Sequence, residues 1–125
     1  IIGFSYVEDV KAINLLLEEL KKRNVHNKPV VAKIETNKAV KNLPSIILSA
    51  IGRVPFGIMI ARGDLAIELG DERLAEIQEE ILWLCEAAHV PVIWATQVLE
   101  SMANIINRIE AHQYKKRSRM LALQW

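Results

Sequence analysis

Three short stretches carry residues that could do chemistry together. Lys33-Ile34-Glu35 sets a cation and a carboxylate two positions apart, Arg62-Gly63-Asp64 sets two opposite charges around a glycine, and Thr96-Gln97 follows the apolar run Val92-Ile93-Trp94-Ala95. On a strand, side chains alternate, so Lys33 and Glu35 share one side while Ile34 turns to the other, against a helix layer. Glu35 and Asp64 are hard oxygen donors suited to Mg²⁺, which fills the rest of its shell with waters or substrate oxygens. Lys33 beside such a metal would supply a second positive charge, a pair able to neutralise an enolate or a phosphoryl group in transfer. Gly63 lacks a Cβ, so backbone N–H groups there could approach a small anion.

Each pair also has a structural reading. Lys33 with Glu35 would fill a polar layer inside a fold, and Arg62 with Asp64 would brace a turn, as ion pairs do in many proteins. What favours a site is their coincidence, because each group falls where an apolar run stops. His26, His89 and His112 have no ligand spacing and suit surface or capping positions, while Cys85 sits among apolar helical neighbours and suits a core.

The elements that must position these groups follow one repeating pattern, a short apolar strand and then a helix with apolar residues three and four apart. Residues 1–6 read as a strand and Glu8–Arg23 as a helix, with Val10, Ile13, Leu16, Leu17 and Leu20 as its buried stripe. Pro29–Ile34 is the second strand. Its helix, Lys38–Ala50, opens near Asn37 and contains Pro44, which is expected to leave the first turn irregular. Gly57–Ala61 is the third strand, running into a charged turn at Arg62-Gly63-Asp64. Asp71 is the expected N-cap of Glu72–Ala88, whose core face holds Leu74, Ile77, Ile81, Leu84, Cys85 and Ala88. Pro91–Ala95 is the fourth strand and a last helix runs from Gln97 to about Ile106.

Four consecutive βα units require parallel strands joined by right-handed crossovers. No dinucleotide fingerprint or phosphate loop follows any strand, so a (β/α)₈ barrel is favoured over a doubly wound sheet. A complete barrel takes eight units and typically about 250 residues. With 125 residues the chain is expected to be an α/β partial barrel of four units. In α/β folds the reactive groups gather at the carboxyl ends of the strands, where Lys33, Glu35, Asp64 and Thr96 all fall. Four such strands leave two open edges and an uncovered interior, so the chain is expected to associate with itself or with another half-barrel.

Composition narrows the remaining classes. The chain is 51% hydrophobic and 25% charged with a net charge of +1, which fits a globular α/β protein and gives no general attraction to nucleic acid. Its apolar runs are too short to span a bilayer. A soluble, cytoplasmic protein is expected, with a plastid as the other possible compartment. The start at Ile1 has neither the look of a signal peptide nor an initiator Met, which points to further sequence upstream. Residues 1–102 are expected to form the barrel portion and 103–125 a divergent basic tail, whose run Tyr114-Lys115-Lys116-Arg117-Ser118-Arg119 reads as a solvated face.

The segments "VAKIET" (31–36), "GIMIARGDLAIELG" (57–70) and "PVIWATQVLESM" (91–102) resemble, in order and spacing, three signature segments of the pyruvate kinase barrel, and "GFSYVEDV" resembles the strand and helix before them. The bacterial and plastid-type branch is the more similar. The resemblance implies a glycolytic phosphotransferase that moves the phosphoryl group of phosphoenolpyruvate to ADP, giving pyruvate and ATP. It assigns stabilisation of the enolate to Lys33, Mg²⁺ ligation to Glu35 and Asp64, contact with the substrate carboxylate to the backbone of Gly63 and Asp64, and substrate binding near the protonation step to Thr96. The family also uses K⁺, and the residues that hold it and much of the nucleotide pocket have no counterpart here. Little kinase activity is therefore expected of this chain alone. After Met102, Asn107-Arg108-Ile109-Glu110-Ala111 is only a partial echo of the family pattern. Two other readings suit the same residues: a Mg²⁺-dependent oxo-acid lyase or aldolase on a related barrel, and a non-catalytic pseudoenzyme or interaction fragment.

Overall fold

The alternation of apolar strands with amphipathic helices is realised as four parallel strands in one sheet. A computed structural model describes residues 1–94, so Thr96, the helix expected from Gln97 and the 103–125 tail lie outside the described residues. The elements are β1 (Ile2–Phe4), α1 (Val10–Lys22), β2 (Val30–Ile34), α2 (Asn37–Ala50), β3 (Phe56–Ile60), α3 (Arg62–Leu69), α4 (Asp71–Ala87) and β4 (Val92–Trp94). The spatial order of the strands is their order in sequence, β1-β2-β3-β4, with every neighbouring pair parallel.

Register gives the sheet two unlike faces. On one face Ala32, Ile34, Ile58 and Ile60 are wholly buried and join Ile13 of α1, Leu43, Ile46 and Ile47 of α2, and Leu74, Ile77 and Ile81 of α4 in a single core. Removing such side chains from water is the main favourable term in folding, about 1.5–3 kcal/mol for each large aliphatic residue. The other face carries Val31, Lys33, Met59 and Ile93, aligned across the strands by the pairs Lys33↔Met59 and Met59↔Ile93. Among the described residues, Ile93 on that side remains 42% exposed.

Several boundaries differ from the sequence reading for identifiable reasons. Arg62-Gly63-Asp64 is not a turn but the first turn of α3, which starts two residues after β3. Asp71 is the first residue of α4 rather than its cap. The cap is Gly70, whose φ of 78° lies in the left-handed region and lets one residue end α3 and start α4. Pro44 does not break α2, which is continuous from Asn37 to Ala50. The proline is exposed, and the wholly buried Leu43, Ile46 and Ala50 around it offset its missing N–H. Leu84, expected in the core, is 38% exposed on the outer side of α4. Among the described residues, no helix is long and apolar enough to cross a membrane.

The junction between β2 and α2 places the site and is built on a side-chain cap. Thr36 is extended, and its Oγ1 accepts the N–H of Ala39 at 3.1 Å from a buried position. Replacing Thr36 by Ala should cost about 1 kcal/mol of folding free energy, while Thr36→Ser should recover most of it. Urea unfolding followed by circular dichroism measures both, and equal stability of all three proteins would contradict this role for the cap.

Candidate functional site

The rim at the carboxyl ends of β1, β2 and β3 is organised around one buried acid. Glu35, directly after β2, has a side chain 2% exposed, and a carboxylate so placed must be hydrogen-bonded to be stable. Its Oε2 accepts the backbone N–H of Tyr6 at 2.5 Å, and its Oε1 accepts a hydrogen from Lys33 Nζ at 2.6 Å. Lys33 Nζ also donates to Ser5 Oγ at 3.3 Å. The alternation expected for Lys33 and Glu35 is therefore realised, and the pair is joined to the end of β1.

Tyr6 reaches this position at some conformational cost. Its φ of 52° is left-handed, a region that side chains with a Cβ rarely adopt. The strain aims the Tyr6 N–H at Glu35, so the β1–α1 connection is fastened to β2 through a main-chain donor. No sequence signal would have revealed this contact, because the donor is backbone and the two residues are 29 apart.

The third strand end brings the second acid. The Ala61 N–H donates to Ile34 O at 3.1 Å, extending the β2–β3 ladder to the residue before α3. The first α-helical bond there runs from Leu65 N–H to Ala61 O at 3.1 Å. The N–H groups of Gly63 and Asp64 therefore precede the hydrogen-bonded turns, and among the described residues they have no acceptor. Both residues are exposed. Such a helix start favours negative charge, through its free donors and its dipole. Glu68, further along α3, accepts the Asn37 N–H at 2.6 Å and couples α3 to the start of α2.

Electrostatics at the rim favour a charged lysine. The hydrogen bond to Glu35 raises the pKa of Lys33 above the ordinary lysine value, and the charges of Glu35 and Asp64 push in the same direction against partial burial. The influence of Asp64 on Lys33 brings the charges of the second and third strand ends into one field. Lys33, Glu35, Gly63 and Asp64 thus share a rim, while Thr96 lies outside the described residues.

The donor set suits a hard cation of a particular kind. Among the described residues there is no cluster of three or more His, Cys, Asp or Glu side chains, so the rim offers no all-protein cage. Two carboxylates with room for other oxygens are what Mg²⁺ accepts, since it keeps waters or substrate oxygens in its shell. Glu35 already receives one donor on each oxygen, yet a carboxylate has about four lone-pair sites, which leaves capacity for a cation.

Comparison with known proteins identifies the family. The family described as "Pyruvate kinase, barrel domain" matches residues 1–112. "Plastidial pyruvate kinase 3, chloroplastic" of Arabidopsis thaliana is 44% identical over 100 residues, covering 80% of this chain and 16% of that protein. "Pyruvate kinase isozyme G, chloroplastic" of Ricinus communis is 42% identical over 102 residues, covering 80% of this chain and 22% of its own length. "Pyruvate kinase" of Thermotoga maritima is 43% identical over 102 residues, again 80% of this chain and 20% of that protein. The chain thus spans about a fifth of the length of these relatives. Plastid and bacterial enzymes match it about equally well, and the family match takes in all four strands of the sheet. The chain belongs to the pyruvate kinase family and forms part of its barrel domain.

Proposed function

We propose that this rim is the metal and enolate portion of a pyruvate kinase site, acting in the transfer of a phosphoryl group from phosphoenolpyruvate to ADP to give pyruvate and ATP. The observation that carries the reading is the ammonium of Lys33. It is held at 2.6 Å from a buried carboxylate and kept charged by it, beside a helix start with free N–H donors.

In that reaction the P–O bond to the enol oxygen breaks, the phosphoryl group passes to an oxygen of ADP, and the enol oxygen is left with negative charge. Lys33 holds a fixed positive charge for that oxygen, and Glu35 keeps the side chain in place. A fixed donor in a partly dry site is worth more than the same donor in water. The backbone N–H groups of Gly63 and Asp64 take the substrate carboxylate. Glu35 and Asp64 would hold Mg²⁺, which when bound supplies Lewis-acid stabilisation to the substrate oxygens. Thr96 binds substrate near the carbon that receives the proton. K⁺ and most nucleotide contacts come from parts of the family pattern with no counterpart in this sequence. The site of action is cytoplasmic or plastid.

The enolate step can be tested apart from the nucleotide. Pyruvate in D₂O with Mg²⁺ and this chain should lose its methyl protons to solvent faster than with Mg²⁺ alone, as followed by proton NMR. Lys33→Met should reduce the protein-dependent rate by about 100-fold or more, the scale for losing one stabilising donor. The raised pKa of Lys33 sets the sign of the pH dependence. The ammonium is fully present below the unperturbed value of about 10.4 and is lost as pH passes the higher folded value. Exchange should therefore show no loss from this group up to about pH 10. Exchange unchanged by Lys33→Met would contradict the assignment.

Metal ligation has its own readout. Titration of Mn²⁺ as a spectroscopic stand-in for Mg²⁺, monitored by electron paramagnetic resonance, should show one site. Asp64→Asn and Glu35→Gln should each weaken it by about tenfold or more, since even outer-shell changes at metal sites cost 10–100-fold. Equal Mn²⁺ affinity in folded Asp64→Asn protein would remove Asp64 from the ligand set.

A further inference from the structure

At the opposite ends of the strands lies a second concavity of about 380 Å³ with an unbalanced charge. It opens between the end of α1, the loop leading into β2 and the loop leading into β3. The cations Lys21, Lys28 and Arg53 line it together with His26, and among the described residues Glu18 is its only acid. Val25 contributes to an apolar floor.

The neighbouring charges are paired and these are not. Lys22 and Arg23 both engage Glu19, at 2.8 and 3.7 Å. Among the described residues, neither Lys21 nor Lys28 has a carboxylate partner. Arg53 is held in place by neutral acceptors, its Nη1 donating to Asn14 Oδ1 at 2.7 Å and to Ser49 O at 2.9 Å. Among the described residues, the guanidinium is thereby oriented without being neutralised, and the rest of its planar fork is left for another acceptor. Among the described residues, three basic side chains against one acid leave a local excess of two positive charges.

The wall of the cavity is also built rather than loose. Asn24 and Asn27 have left-handed φ values of 54° and 56°, folding the connection back on α1. The carbonyl end of a helix normally repels anions. Here the acceptors Glu19 O, Leu20 O and Lys21 O already receive the N–H groups of Arg23, Val25 and Asn24.

We propose that this cavity binds a small dianion of the phosphate class, inorganic phosphate or the phosphate group of a small ester. A guanidinium fixed from behind presents its remaining donors to phosphate oxygens in the geometry that arginine matches best, and the two lysines supply point charges around it. The dianion balances the excess charge, and the volume admits a small organic group as well. This site is separate from the rim, because its residues lie on the connections at the amino ends of β2 and β3, whereas Lys33, Glu35 and Asp64 lie at the carboxyl ends.

Two-dimensional NMR of the 125-residue chain, titrated with inorganic phosphate and separately with glycerol 3-phosphate and succinate, without divalent metal, tests the proposal. Saturable shifts confined to the amides of residues 20–28 and 52–54, with both phosphates ahead of succinate, are expected. Preference for glycerol 3-phosphate over inorganic phosphate would identify the ester as the ligand source, and the reverse the free ion. Lys28→Gln, in an exposed loop, should weaken binding by about tenfold while leaving the spectrum of the core unchanged, as loss of one charge-assisted contact predicts. Arg53→Gln should weaken it further, and Asp64→Asn should leave it intact. The proposal is overturned by the absence of saturation, by tighter binding of succinate, by shifts centred on residues 33–35 and 61–64, or by unchanged affinity in Lys28→Gln.

Discussion

A carboxylate withdrawn from water is the constraint on which this rim depends. Glu35 is 2% exposed, so its charge must be met by the protein, and two donors meet it from different strand ends. The Tyr6 N–H comes from the β1–α1 connection, and Lys33 comes from the same face of β2. Taking a charge out of water costs several kcal/mol unless geometry and hydrogen bonds offset it. The arrangement is therefore weak as a source of stability and strong as a source of position. It holds a lysine ammonium in one place, charged, with part of its surface still open to a ligand.

The strands and the paired charges were legible because both rest on a period of two. Lys33 and Glu35 flank Ile34, and the buried Ile34 on the helix side forces its neighbours onto the other face. The three long helices were legible from their apolar spacing. Helix α3 was not, because "RGDLAIEL" buries only Leu65 fully, carries glycine at its second position and follows β3 after the single residue Ala61. What makes it helical is tertiary: Glu68 bonded to Asn37, and Ala61 held to Ile34. Reading those residues as a turn still placed Gly63 and Asp64 on the rim, since a helix start and a turn both expose backbone N–H groups. The contact from Tyr6 to Glu35 joins residues far apart in sequence through a main-chain donor, which no local pattern encodes.

The two ends of the sheet are chemically opposed. At the carboxyl ends an acid is buried and a lysine is tethered to it, so positive charge is presented beside a carboxylate pair. At the amino ends positive charge is presented with little to balance it, and among the described residues Arg53 is fixed by neutral acceptors, Asn14 Oδ1 and Ser49 O. Between them the helix-facing side of the sheet is a continuous aliphatic core. The other side keeps Ile93 partly open beside Met59.

Crystals of the chain grown with Mn²⁺ and pyruvate would test the assignment of the rim most directly, using the anomalous scattering of the metal. A single strong peak about 2.1 Å from oxygens of both Glu35 and Asp64, the spacing of a hard divalent cation, with Lys33 Nζ on a pyruvate oxygen, is the predicted result. Metal bound elsewhere, with Glu35 still held only by Lys33 and Tyr6, would contradict it.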